Sequence, residues 1–304
     1  MIIFITALIP VMILIILGFI LRRTKFLPEE TWPGIEKLTY FVLFPALLIR
    51  TLGKQSLAGE PWPSMLIIVV GTIMTSAVVL IVFRKVLSKN NATFTSIFQG
   101  GVRFNTYITL AIAQSLYGAT GLAMASVAAG FMIVLINLWC ISVFIIWGKG
   151  SFQGGLQFIK QIVGNPLIIG CAIGWFLSLS GIGLPIIVGD ILEIVGRAAL
   201  PLGLLAVGAA LKLEGIKGHF SPIVLSSIAQ FGLKPLVTAA LVSYTGLTGV
   251  AAAVLIIAFM TPTAPSAYIL SRQLGGDTEA MASIITVQTL IAFLIMPLLG
   301  TLLL

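Results

Sequence analysis

Gln99-Gly100-Gly101-Val102-Arg103-Phe104-Asn105-Thr106-Tyr107 and Met260-Thr261-Pro262-Thr263-Ala264-Pro265-Ser266 are polar interruptions inside two apolar runs. Each breaks a helix near its middle. Pro262 and Pro265 remove backbone donors and disfavour helical geometry one residue earlier. Gly100-Gly101 reads as a flexible pair, and Asn105 as the cap of a following half-helix. Pro265 suits the first turn of the next half-helix, and Thr261 and Thr263 can serve freed backbone groups. In lipid, unpaired backbone survives only where protein or a cavity supplies partners. The two stretches therefore mark either a binding site or a pair of kinks.

The surrounding chain settles the solvent. Of 304 residues, 59% are hydrophobic and 9% charged, against roughly 25% charged in soluble domains. The mean hydropathy is +1.16. This is an all-α integral membrane protein. Ten segments are apolar enough to span: about 2–21, 36–53, 63–83, 95–117, 121–147, 162–180, 187–211, 222–244, 247–270 and 279–303. The N-terminus lacks the basic region of a signal peptide and reads as a retained first span.

Charge gives the orientation. The 17 basic residues exceed the 9 acidic ones by 8. With the N-terminus outside, Arg22, Arg23, Lys25, Lys37, Arg84, Lys85, Lys89, Lys149, Lys160, Lys212, Lys217 and Arg272 face the cytoplasm. Only Arg50 and Lys54 lie outside, a strong positive-inside bias. Both termini are then extracytoplasmic, in a cell inner membrane. The basic excess encodes orientation and calls for no nucleic acid.

The halves repeat at an offset of 156 to 157. Pro10 matches Pro166, Pro45 matches Pro201, and Gly118 matches Gly275. Ala123-Met124-Ala125-Ser126 recurs as Ala280-Met281-Ala282-Ser283. Residues 1–148 form one five-helix half, 149–161 a cytoplasmic linker, and 162–304 the second half. Five is odd, so the second half enters inverted, as in secondary transporters. Asn105 falls opposite Pro262 at this offset. The broken fourth and ninth helices then cross at the midplane, with two half-helix N-termini favouring one anion.

Three basic residues fall within spans, where a charge is a functional candidate. Arg103 is read as a carboxylate clamp or a ligand of freed carbonyls. Lys234 is read as a neutraliser of substrate charge or an anchor for an unwound segment, with Gln230 one turn earlier. Arg197 has Glu193 at i−4 and reads as a structural ion pair. The candidate substrate site is Asn105, Arg103, Thr106, Thr261, Pro262, Thr263, Pro265, Ser266, Lys234 and Gln230. Gln114, Asn137 and Gln288 read as interhelical hydrogen-bonding groups. Asn165-Pro166 reads as a helix cap. Gly203 and Gly208 read as close-packing positions. All nine acids lie in loops or near span ends, so no buried carboxylate serves a proton. Neither a cofactor nor a metal is called for. Cys140 and Cys171 read as packing residues, and the single histidine, His219, makes no metal cluster. No nucleophile–base pair or paired carboxylate points to an enzyme.

These residues resemble the auxin efflux carrier family, as a bacterial member in the bile acid/sodium symporter superfamily. The resemblance rests on Gly18-Phe19 with Arg22-Arg23, Phe44-Pro45, Arg103-Phe104-Asn105, Asn165-Pro166, Ala199 to Gly203, Lys234-Pro235 and Pro262 to Ser266. It implies a scaffold of helices 1, 2, 6 and 7, and a transport domain of helices 3–5 and 8–10. It also implies elevator movement, a homodimer through the scaffold, and carboxylate contact at Asn105. Plant members carry an asparagine near the helix 9 crossover; this chain has only Thr, Ser and Pro there. The expected function is export or exchange of a small organic anion. An ion channel and a sodium-coupled anion symporter are the alternatives. An anion leaving the cell gains about 2.3 kcal/mol per 100 mV of inside-negative potential.

Overall fold

The computed structural model of the chain describes residues 2–54, 61–148 and 163–304. The expected linker 149–161 lies outside the described residues. Every regular element among the described residues is helical. Six stretches are long and apolar enough to cross a membrane: Phe4–Arg23, Trp62–Val82, Asn91–Trp147, Ile186–Ala209, Ile216–Thr245 and Thr278–Leu303. Two shorter apolar helices, Pro166–Leu179 and Gly249–Met260, accompany them. The protein is a multi-pass membrane protein.

Asn91–Trp147 has 57 residues, about 85 Å if straight, against a hydrocarbon core near 30 Å. It therefore folds back on itself. It breaks after Asn91–Val102 and resumes as Thr106–Trp147, which turns at Gly118 with φ +59°. A side chain is strained at that φ, so glycine is required there.

Glycines set the closest helix contacts. A Cβ on Gly208 would lie 1.8 Å from the Ile15 carbonyl oxygen, and one on Gly18 would lie 2.1 Å from that of Leu205. Ile2–Arg23 and Ala199–Ala209 thus touch backbone to backbone, as small-residue interfaces permit in membranes. The expected packing role of Gly208 is borne out. Phe44–Lys54 packs similarly on Pro166–Leu179, through Gly170 against Pro45 and Gly174 against Leu52. Outside the apolar region, Arg22 donates to the Ala209 carbonyl at 2.7 Å and pairs with Glu29. That guanidinium holds the Glu29 carboxyl below the usual carboxylate range.

Three expectations need correction. Gly100 and Gly101 are helical; the break follows them, at Arg103–Asn105. Their job is close approach: a Cβ on Gly100 would lie 2.7 Å from Ile284 Cγ2, and one on Gly101 2.9 Å from Ala229 Cβ. The second span begins at Thr31 rather than 36 and continues through a π turn, Thr39–Leu43, into Phe44–Lys54. The seventh divides at Ala198 into Ile186–Arg197 and Ala199–Ala209. A second π turn, Ala229–Leu233, precedes Lys234–Thr245. Both π turns come immediately before an X-Pro pair, Phe44-Pro45 and Lys234-Pro235. Widening the helix there relieves the clash between the proline ring and the preceding turn.

Candidate functional site

The two interruptions lie against each other. At the first, Arg103 is extended (φ −68°, ψ 164°). Asn105 Oδ1 accepts from the amides of Tyr107 and Ile108 at 3.1 and 3.2 Å, capping the next half-helix as the sequence implied. The freed carbonyls of Val102 and Arg103 accept from Lys234 Nζ at 3.2 and 2.8 Å. The Gly100 carbonyl accepts from Thr263 Oγ1 and Gln288 Nε2, both at 3.0 Å. At the second interruption, Thr261 is extended and its carbonyl accepts from Gln230 Nε2. The Thr263 amide donates to Gln288 Oε1 at 3.1 Å. The hydroxyls of Thr109 and Thr261 meet at 3.1 Å. Gln288 thus bridges both breaks.

Beside this knot lies a cavity of about 70 Å³. Among the described residues, Arg103 is the one charged residue lining it, with Tyr40, Thr106, Asn137, Asn165 and Ser266 as polar neighbours. Arg103 is 8% exposed. Its Nη2 donates to Asn137 Oδ1 at 2.9 Å, its Nη1 reaches Ser266 Oγ at 3.5 Å, and its Nε has no partner. Three helices begin at the cavity wall: Thr106–Trp147, Pro166–Leu179 and Ser266–Leu274. Asn165 Oδ1 caps the second of these, accepting from Leu167 N at 3.0 Å, as the sequence implied. A guanidinium and three helix N-termini make the cavity electropositive.

The ten residues chosen from sequence therefore separate. Arg103, Thr106 and Ser266 line the cavity. Asn105, Thr261, Pro262 and Thr263 are buried in the knot, with Gln230 and Lys234 beside them. Pro265 occupies the N-cap position of the Ser266–Leu274 helix without a side-chain cap bond. Tyr40 was missed by sequence reasoning, and Asn137 and Asn165 were assigned structural roles. Tyr40 stands one helical turn before Phe44-Pro45, and that register was its only sequence signal.

A larger cavity, about 710 Å³, lies on the other side. It is lined mainly by apolar residues, with Gln114, Ser115, Arg50, Glu193 and Arg197 among them. Glu193 accepts from Arg197 at 2.5 Å, as the i,i+4 spacing implied, and also from Arg50, which sequence placed only at a span end. Between the cavities, the Phe44 and Tyr107 rings meet at a 41° tilt with centroids 4.4 Å apart. On one helix Tyr40 lines the small cavity and Leu47 the large one; on the other, Thr106 and Ala111 do. The aromatic pair occupies the intermediate register on both.

The architecture and site define a helical membrane protein with a small interior cavity lined by a buried arginine. Among known proteins, residues 3–153 and 155–299 match the membrane transport protein family, an auxin-efflux-carrier-like group. The chain belongs to that family and is a transport protein, not an enzyme. It is also 22% identical, over 95% of its length and 94% of the relative's, to an uncharacterized transporter of Methanothermobacter thermautotrophicus.

Proposed function

We propose that the protein is a secondary carrier that exports or exchanges a small organic anion, a carboxylate, through the small cavity. The observation that carries this is Arg103: a buried guanidinium lining a cavity where three helices begin. The reading includes ten spans in two inverted halves, in an inner membrane with both termini outside. Two observations support the repeat. The interruptions occupy matched positions, and Gly118 and Gly275, related by the offset, both have positive φ, +59° and +74°. Elevator movement of helices 3–5 and 8–10 against a dimeric scaffold fits a small cavity walled by both groups. Tyr40, Asn165 and Leu167 come from one group, Arg103, Thr106 and Ser266 from the other. The tilted Phe44–Tyr107 pair between the cavities favours a carrier over an open pore.

The test is substrate-induced current in proteoliposomes, screened over mono- and dicarboxylates. Arg103→Gln is expected to lower transport about a hundredfold, in the range of a truncated buried charge contact (about 2–5 kcal/mol). Transport by a folded Arg103→Gln protein at the wild-type rate overturns the assignment. Unitary current steps would replace the carrier with a channel.

A further inference from the structure

Carbonyls freed at the C-terminal end of a half-helix form a natural site for a monovalent cation. Their lone pairs point outward, and the helix adds partial negative charge there. Here the half-helix Asn91–Val102 ends in two such carbonyls, those of Val102 and Arg103. Both accept from Lys234 Nζ. Lys234 is fully buried, lines neither described cavity, and takes part in none of the described ion pairs. Its nitrogen lies 5.7 Å from the centroid of the Phe259 ring, whose face also attracts cations. Its hydrogen-bond partners among the described residues, the Val102 and Arg103 carbonyls, are acceptors suited to a cation. Among the described residues, no group of three His, Cys, Asp or Glu side chains offers an alternative cation site.

We propose that this carbonyl cradle is a monovalent-cation site filled by the chain's own Lys234 ammonium. A tethered cation cannot dissociate, so no ion gradient is coupled through this cradle and no sodium is needed there. This deepens the carrier reading, on which it rests for its meaning in transport, by assigning the co-ion requirement of the crossover. Lys234 is then a positioning residue that holds the first interruption open beside Arg103.

Replacing Lys234 by Ala removes Cγ, Cδ, Cε and Nζ, the outline of propylammonium. Thermal unfolding of the purified protein is measured in choline chloride and in sodium, potassium and propylammonium chloride at equal ionic strength. The wild type is expected to unfold at one temperature in all four. Lys234→Ala is expected to unfold roughly 5–10 °C lower in choline and to regain at least half of that loss in sodium or propylammonium, since a ligand of the folded state alone stabilises it. Lys234→Met fills the space without donors and is expected to stay low in every salt. Should Lys234→Ala fail to fold in choline, it is solubilised in propylammonium and dialysed into choline, where unfolding supports the proposal. Wild-type stability in either variant overturns it, as does a Lys234→Ala loss that no cation reverses or a wild type stabilised by sodium. The readout involves no transport. A silent Arg103→Gln variant would sink the anion reading and leave this one standing, and the reverse holds equally.

Discussion

The two interruptions solve one problem with different chemistry. At Val102–Asn105 the backbone keeps its donors and acceptors, and the protein meets them with a side-chain cap and a lysine. At Thr261–Pro265 two prolines have removed donors beforehand, no side chain caps the following helix, and neutral amides and hydroxyls serve what remains. Charge is thus concentrated at the first break, where Arg103 turns into the cavity. The second contributes a helix N-terminus and a hydroxyl. Two interruptions packed against each other need not share chemistry; one can hold the charge while the other supplies shape.

The largest test of that asymmetry sets Arg103→Gln against Ser266→Ala. The first is expected to cost about a hundredfold in transport; the second less than about tenfold, because a single neutral hydroxyl at 3.5 Å is lost. Equal losses in proteoliposome current would mean that both breaks bind the substrate alike. Next comes Gln288→Leu, which deprives the buried Thr263 amide of its partner and the Gly100 carbonyl of one of two. Chemical denaturation in detergent should register about 1–3 kcal/mol. A neutral result would show that the breaks hold without the bridge.

Smaller still is Asn105→Ala. The lost cap should lower stability by about 1 kcal/mol, and transport should fall further because the half-helix start loses its definition. Wild-type transport in that variant would confine Asn105 to stability. Arg197→Gln, far from both breaks and 75% exposed at its side chain, should change stability by less than about 1 kcal/mol. A larger drop in thermal unfolding would give the Arg50–Glu193–Arg197 cluster a structural weight that the comparison does not assign to it.

What was legible beforehand was local. Asn105 and Asn165 cap helices because an amide two or three residues on always lies within reach. Glu193 meets Arg197 because four residues make one helical turn. What was illegible depended on neighbours. Gly100-Gly101 looks like a hinge in isolation; against Ser226, Ile284 and Ala229 it is a contact surface. The π turns before Pro45 and Pro235 were not legible, because Pro10 and Pro297 lie inside α-helices with no such turn.

Hydropathy and broken periodicity by themselves determined that this protein lives in a membrane, that two helices are interrupted, and where. Those properties follow from the solvent each residue demands and from backbone groups that proline deletes or asparagine caps. Only the tertiary structure decided who answers the freed groups. Lys234 reaches a carbonyl 131 residues away, and Gln288 one 188 residues away. Such pairings depend on how helices pack, and in lipid a freed group takes whichever donor the packing brings within about 3 Å. The same packing buried the Arg103 guanidinium in the wall of a small cavity.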